Sequence, residues 1–292
     1  MALKGKVPEA KDKRLKMLVY GPPGVGKTWM SLEFPRPYLI DTERGAENDQ
    51  YVRKLKAVNG AYYFTTDPDE LIAEVLALIA TKHDYQTLVI DPLTVVYNDL
   101  LDKAAEEVGT DFGRHKGPAD RKVKHLLALL LRLDMNVVIT SHAKAKWVRA
   151  KDNKGKDTVV EDGMTFDCYA RLDYLFDLVI EGKREGDARV GVVRKSRIEA
   201  MPEGSRLPFS YSAIAEKYGR ETLERIATPV TLADEQQVAE AGRLVSLLKI
   251  GDDVVAKWLD KAGAESWSEM PADAISKCIE WCRNRIKNGG ES

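Results

Sequence analysis

From residue 16 to about residue 194 the chain alternates short, continuous apolar runs with longer stretches whose apolar residues recur every three or four positions. Continuous apolar runs suit strands buried on both faces, and the intervening period suits helices packed over them. Strands are predicted at 17–20, 37–41, 88–91, 137–141, 175–181 and 189–194, and helices at 27–33, 69–82, 93–108 and 121–133. In the last helix Val123, Leu126, Leu127, Leu130 and Leu133 fall on one face. This strand–helix rhythm predicts an α/β fold with a mostly parallel central sheet.

The pattern changes after "ERIATPVTLADEQQ". Pro229 and the Thr231–Asp234 capping spacing open a purely helical tail, with helices expected at about 234–249, 252–262 and 271–287. Val238, Ala241, Val245, Leu248, Val255, Leu259, Ile275 and Ile279, with three tryptophans, suit a small bundle. Such a bundle can be a packing lid or a docking module, and the sequence leaves both open. The expected organisation is a flexible arm at 1–14, an α/β core at 15–228 and a C-terminal helical bundle at 229–292.

The formal net charge is −1, so affinity for nucleic acid must come from local basic patches and not from a global field. The apolar run "LLALLL" at 126–131 is cut by Arg132, far short of the ~20 residues that span a bilayer. The first residues hold no apolar signal core, and Cys168, Cys278 and Cys282 form no CxxC pair. A reducing cytoplasm, with no membrane partner, is the expected location.

The strongest chemical signal is "GPPGVGKT" at 21–28, which fits G-x-x-x-x-G-K-[ST] between an apolar strand and a helical stretch. The stretch Gly21, Pro22, Pro23, Gly24, Val25 and Gly26 would bind ATP, with Gly21, Gly24 and Gly26 letting backbone N–H groups turn inward around the β-phosphate. Lys27 would place its charge near the β/γ oxygens, and Thr28 would offer a hydroxyl to Mg²⁺. Downstream, "TLVID" ends a buried strand in Asp91, which takes the acid role on the metal side.

Many nucleotide hydrolases carry a water-activating Glu directly after that acid, but here the next residue is Pro92. A second apolar strand, "YLI", ends in Asp41-Thr42-Glu43, and strand ends of an open parallel sheet converge on the nucleotide crevice. Glu43 is therefore the expected general base. Here the chain resembles the RecA family of recombinase ATPases, in which a similar "IDTE" carries the catalytic Glu. The Asp91-Pro92 pair reads against the AAA+ class, which would have Asp-Glu there.

The resemblance covers residues ~15 to ~212 and implies a RecA-like core. "MNVVITSHAKAKW" is similar to the strand that ends in a γ-phosphate sensor, with Thr140, Ser141 and His142 where the family has Gln or Asn-Gln. His142 can donate a hydrogen bond to phosphate in either tautomer. "VGVVRKSRI" resembles the strand that presents basic fingers to a neighbouring subunit's ATP, which implies that role for Lys195 and Arg197.

Two loops are expected to concentrate positive charge. The first holds Arg114, Lys116, Arg121, Lys122 and Lys124; the second holds Lys144, Lys146, Arg149, Lys151, Lys154 and Lys156 around Trp147. Cations that track phosphates beside an exposed aromatic suit an unpaired strand of DNA. The resemblance extends to compact phage-type relatives of RecA, acting in a bacterial host's cytoplasm. It implies an ATP-dependent protein that binds single-stranded DNA, promotes annealing or strand exchange, and assembles as a ring or filament alongside a single-strand-binding protein. The alternatives are a nucleotide-switched loader or regulator that docks a protein partner, and a hexameric helicase-like motor.

Overall fold

A computed structural model describes residues 13–151 and 155–287. Its elements are β1 (Lys16–Tyr20), α1 (Lys27–Ser31), β2 (Pro37–Asp41), α2 (Asp49–Ala57), β3 (Ala61–Phe64), α3 (Pro68–Ala80) and β4 (Thr87–Asp91). Next come α4 (Leu93–Val108), α5 (Lys116–Arg132), β5 (Asn136–Ser141), β6 (Ala143–Lys151), β7 (Asp157–Phe166), α6 (Leu172–Leu175) and β8 (Leu178–Glu185). The last are β9 (Ala188–Ser196), β10 (Arg206–Pro208), α7 (Tyr211–Tyr218), α8 (Arg220–Glu224), α9 (Glu235–Leu247), α10 (Asp252–Ala262) and α11 (Ala272–Lys287).

Eight strands form one sheet in the order β10-β9-β8-β1-β5-β4-β2-β3. Strands β3 through β8 in that order pair in parallel, while β9 and β10 close one edge antiparallel. The fold is α/β, as the alternating pattern predicts. Within β1, Leu18 and Tyr20 face the layer that contains α3, α4 and α5, whereas Met17 and Val19 face the layer with α7 and α8. This two-sided burial is why the strand reads as continuously apolar; each such side chain contributes roughly 1.5–3 kcal/mol when fully buried.

Strands β6 and β7 stand outside the sheet as a separate antiparallel hairpin. The basic stretch after His142 is therefore half of a β-ribbon and not a loop. The first basic stretch is also not a loop, because α5 begins at Lys116 and carries Arg121, Lys122 and Lys124 on helix. Pro118 is tolerated there because a first helical turn needs no backbone donor at that point.

Arg14, placed at the end of the flexible arm by its charged surroundings, is 5% exposed and docked. It donates to Asp134 Oδ1 at 3.1 Å and to the carbonyls of Thr222 and Ile226. The rest of the proposed arm, residues 1–12, lies outside the described residues, as does Lys154. At the other end, α9, α10 and α11 enclose an apolar cluster of their own around Leu244, Met270, Ile275 and Ile279. That cluster rests on α5 through His125, whose Nε2 is 2.8 Å from Glu269, and Arg132, which donates to the Glu269 carbonyl at 2.9 Å.

Candidate nucleotide-hydrolysis site

Strands β2 and β4 lie side by side in register, with Asp41 opposite Asp91. Both "DTE" and "IDP" thus end at the same edge of the sheet. The Thr42 backbone N–H donates to the Asp91 carbonyl at 3.0 Å, and its hydroxyl donates to the Pro92 carbonyl at 2.9 Å. These bonds tie the two strand ends together. Asp41 is buried and caps the turn that follows: its carboxylate accepts from the backbone N–H groups of Glu43 at 3.0 Å and Ala46 at 2.8 Å. Asp41 therefore positions Glu43 and does not itself reach the crevice.

The phosphate loop lies across the end of β1. A Cβ on Gly21 would stand 2.6 Å from the Gly182 carbonyl oxygen of β8, so only glycine fits against that strand. Gly26 adopts φ +96°, a left-handed conformation costly for residues with a Cβ. The Lys27 ammonium folds back over its own loop, donating to the Gly21 carbonyl at 2.9 Å and the Pro22 carbonyl at 3.3 Å. Burial lowers the Lys27 pKa, and the charges of Asp91 and Glu43 oppose that shift. Helix α1 is shorter than the predicted 27–33, ending at Ser31 before the turn into Pro35.

Asp91 is 9% exposed and its pKa is raised by burial. Hydrogen bonds from Thr140 and Thr28 and the charge on Lys27 pull it down, while Asp41 pushes it up. Thr140 donates directly to Asp91 Oδ1. Of the three residues at the expected sensor position, Thr140 thus holds Asp91. The Ser141 hydroxyl donates to the His142 carbonyl at 2.9 Å, and His142 alone lines the crevice. His142 Nε2 lies 3.0 Å from Glu43 Oε1.

Together these residues line a cavity of about 720 Å³ whose walls include Gly21, Gly24, Gly26, Lys27, Thr28, Glu43, Asp91 and His142. The space is ample for a nucleotide. Pro22 and Val25 shape the loop without lining that cavity; Val25 is buried beneath it. Thr28 and Asp91 offer a hydroxyl and a carboxylate in mutual hydrogen-bonding contact, a pair that fits Mg²⁺ if phosphate and water oxygens complete the shell. Among the described residues no group of three His, Cys, Asp or Glu could hold a metal ion.

A family model described as an AAA domain matches residues 13–204. The chain belongs to that family of P-loop ATPases. The argument against an AAA-type assignment from Asp91-Pro92 therefore fails, because the residue after the acid bears on where the base sits and not on the family. No curated protein matches the sequence. The match covers the phosphate loop, Glu43, Asp91, His142 and β9, and it supports an ATPase in general.

The other predicted residues sit elsewhere in this ATPase. Lys195 and Arg197 lie at the end of β9 that pairs with the start of β8, across the sheet from the phosphate loop. Lys195 donates to the carbonyls of Asp173 and Phe176, and Arg197 to that of Tyr174 at 2.6 Å. Neither reaches the nucleotide cavity of its own chain. On β6, Lys144 pairs with Asp167 at 2.9 Å and Lys146 with Asp162 at 2.8 Å, while Trp147 is 62% exposed. Arg149 and Lys151 continue β6, and Lys156 lies just before β7. Strand β7 returns Asp157, Glu161 and Asp162 to that ribbon, so it is less basic than its first half suggests. Arg114 pairs with Asp111 and Lys122 with Asp69 at 2.7 Å.

Sequence reasoning missed Trp29, Gln50, Tyr51 and Arg189, all of which line the cavity. Gln50 and Tyr51 come from α2, which went unpredicted because its apolar positions are sparse and only Leu55 is buried. The sequence pattern places Arg189 only at the start of a predicted strand. Among the described residues no helix is long and apolar enough to cross a membrane.

Proposed function

We propose that this ATPase uses its nucleotide cycle to move the β6–β7 hairpin on single-stranded DNA, in annealing or strand exchange. The observation that carries this reading is the attachment of the hairpin. Its first strand begins at Ala143, directly after His142. Its far end returns at Asp167, whose backbone N–H donates to the His142 carbonyl at 2.9 Å and to the Ser141 hydroxyl at 3.1 Å. The His142 N–H is in turn held by the Thr94 hydroxyl at 3.0 Å. Both roots of the ribbon are therefore fixed to the residue that touches the proposed base.

In the hydrolytic step Glu43 would orient a water and take its proton as the water oxygen bonds to the γ-phosphorus. The bond to the bridging oxygen breaks, leaving ADP and inorganic phosphate. Lys27 would leave its loop carbonyls for the β/γ oxygens, and Thr28 and Asp91 would hold the metal. Mg²⁺, when bound, neutralises charge on those oxygens. His142 would exchange Glu43 for a phosphate oxygen, which moves the hairpin root with it. Lys195 and Arg197 would act only on a neighbour's nucleotide, so this reading includes a ring or filament, working alongside a single-strand-binding protein.

The test is ATP turnover with and without single-stranded DNA, run beside annealing of complementary oligonucleotides. Stimulated turnover and faster annealing support the reading. Turnover that ignores DNA, with no annealing, favours a second reading: a nucleotide-switched loader that docks a protein. Exposed Val159, Val160 and Met164 on β7, next to Trp147, are the observation in favour of that alternative.

A further inference from the structure

Among the described residues, Lys27 and Arg189 are the two Lys or Arg side chains that line the nucleotide cavity. Arg189 is near the start of β9, which turns back from β8 at the same end of the sheet as the phosphate loop. A Cβ built on Gly26 would lie 3.1 Å from Arg189 Nη1 and 3.4 Å from its Cζ. The guanidinium is thus laid against the backbone of the phosphate loop itself. Tyr51, on another wall of the cavity, is close enough that the Arg189 charge opposes the rise in its phenol pKa.

The position of Arg189 is set by packing and not by an ion pair. Gly182 of β8 leaves room for Val25: a Cβ there would be 3.2 Å from Val25 Cγ1 and 2.9 Å from Phe209. The root of the β8–β9 hairpin is therefore pressed onto the phosphate loop, and its tip overhangs it. Across the hairpin Arg184 is directly opposite Arg189. Like charges at opposed positions of an antiparallel pair repel. Among the described residues neither guanidinium has a carboxylate partner, although neighbours Glu185 and Glu181 are paired with Arg206 and Arg194. A guanidinium without a counter-ion, held over a phosphate cradle, is matched by a phosphate oxygen pair, which its planar fork can engage at two points.

We propose that Arg189 is a second phosphate-gripping cation of the nucleotide site, supplied by the same chain, which leaves Gly26 to clamp the polyphosphate of a bound nucleoside di- or triphosphate. It differs from Lys195 and Arg197 in needing no neighbouring subunit. Its role is ground-state binding, which closes the β8–β9 hairpin over the nucleotide. The proposal rests on the ATPase assignment and is independent of any action on DNA.

The test is calorimetric titration of the full chain, without DNA, using ADP and a β,γ-imido ATP analogue with Mg²⁺. Arg189→Ala should raise the Kd for both ligands on the order of tenfold, and Arg189→Lys should raise it less, because the charge stays but the fork is lost. Arg184→Ala, outside the cavity, should stay within about twofold of the unmodified chain. Because Arg189 is exposed and unpaired, its melting temperature without nucleotide should not change. Binding by Arg189→Ala within about twofold of the unmodified protein overturns the proposal while leaving the ATPase assignment intact. Equal weakening by Arg184→Ala, or a loss of kcat at unchanged Kd, also overturns it. Failure of the unmodified chain to bind either nucleotide would overturn both.

Discussion

Glu43 Oε1 and His142 Nε2 meet at 3.0 Å across the mouth of the nucleotide cavity, one at the end of β2 and the other at the end of β5. Strand β4 lies between those two strands, so the contact bridges over Asp91. The proposed base and the proposed phosphate sensor are thus each other's polar partner. Exchange of this one hydrogen bond would report phosphate to the hairpin and free the base in the same event.

Glu43→Gln should keep nucleotide affinity within a few-fold and cut ATP turnover by roughly 10²–10⁴, the usual contribution of a general base. His142→Ala should release Glu43 and keep part of the basal turnover, while abolishing any stimulation by DNA. Single-turnover hydrolysis alongside equilibrium binding checks both. Undiminished hydrolysis by Glu43→Gln would remove it from the mechanism.

The parts of this site that were legible in the sequence are local in character. Strand β2 and the start of β4's acid could be read because burial on both faces leaves continuous apolar runs, and helix α4 matches its predicted 93–108. The phosphate loop announces itself because its geometry demands glycines at fixed spacing. What stayed hidden depends on pairing across the chain. "AKAKWVRAK" became a strand only because residues 157–166 return to pair with it, and Arg189 reaches the cavity only because β9 folds back over the phosphate loop. The positive charge of the ribbon was overstated for the same reason, since the acids that neutralise Lys144 and Lys146 come from distant positions.

Burial raises the Asp91 pKa, and this gives a signed expectation for pH. A carboxyl whose folded pKa lies above its unfolded value makes the folded chain bind the extra proton. Stability without nucleotide therefore declines as pH rises through that interval. Asp91→Asn should leave the nucleotide-free protein as stable as the unmodified chain or more so, by melting at neutral pH. Its Mg²⁺-dependent turnover should fall on the order of a hundredfold or more.

Lys16 gives the opposite sign. It is buried at the start of β1, donates to the carbonyls of Leu133 and Met135 at 2.8 Å each, and burial brings its pKa down to about 7. Between that value and the ordinary lysine range of about 10.4 the unfolded chain holds the proton and the folded chain does not. Stability should rise with pH across this window. Lys16→Met should flatten that rise in urea titrations at pH 7 and pH 9; an unchanged slope would show that Lys16 stays charged in the fold.

On the hairpin, Trp147→Ala combined with Lys144→Ala and Lys146→Ala should weaken single-stranded DNA binding by at least tenfold, since stacking is worth about 1–3 kcal/mol per base. The phosphates must compete with Asp167 and Asp162 for the two lysines, so binding should be salt-sensitive, with a log–log slope of roughly −0.7 per phosphate contacted. Fluorescence anisotropy of a labelled oligonucleotide measures both. Unchanged affinity at moderate salt would assign the ribbon to a protein partner.

Cutting the chain after Leu232 tests the tail. Val230 donates to the Ile79 carbonyl at 2.8 Å, and Ala227, Val230 and Leu232 pack on the main core, so that strap must stay. Beyond it, α9, α10 and α11 bury their apolar side chains mainly against one another, and their anchors on α5 are the polar groups His125 and Arg132. Removal re-exposes those groups to water, where each can be solvated at little cost. The shortened protein should remain soluble, bind ADP with unchanged Kd and melt a few degrees lower. Aggregation on truncation would instead make the bundle an integral layer of the core.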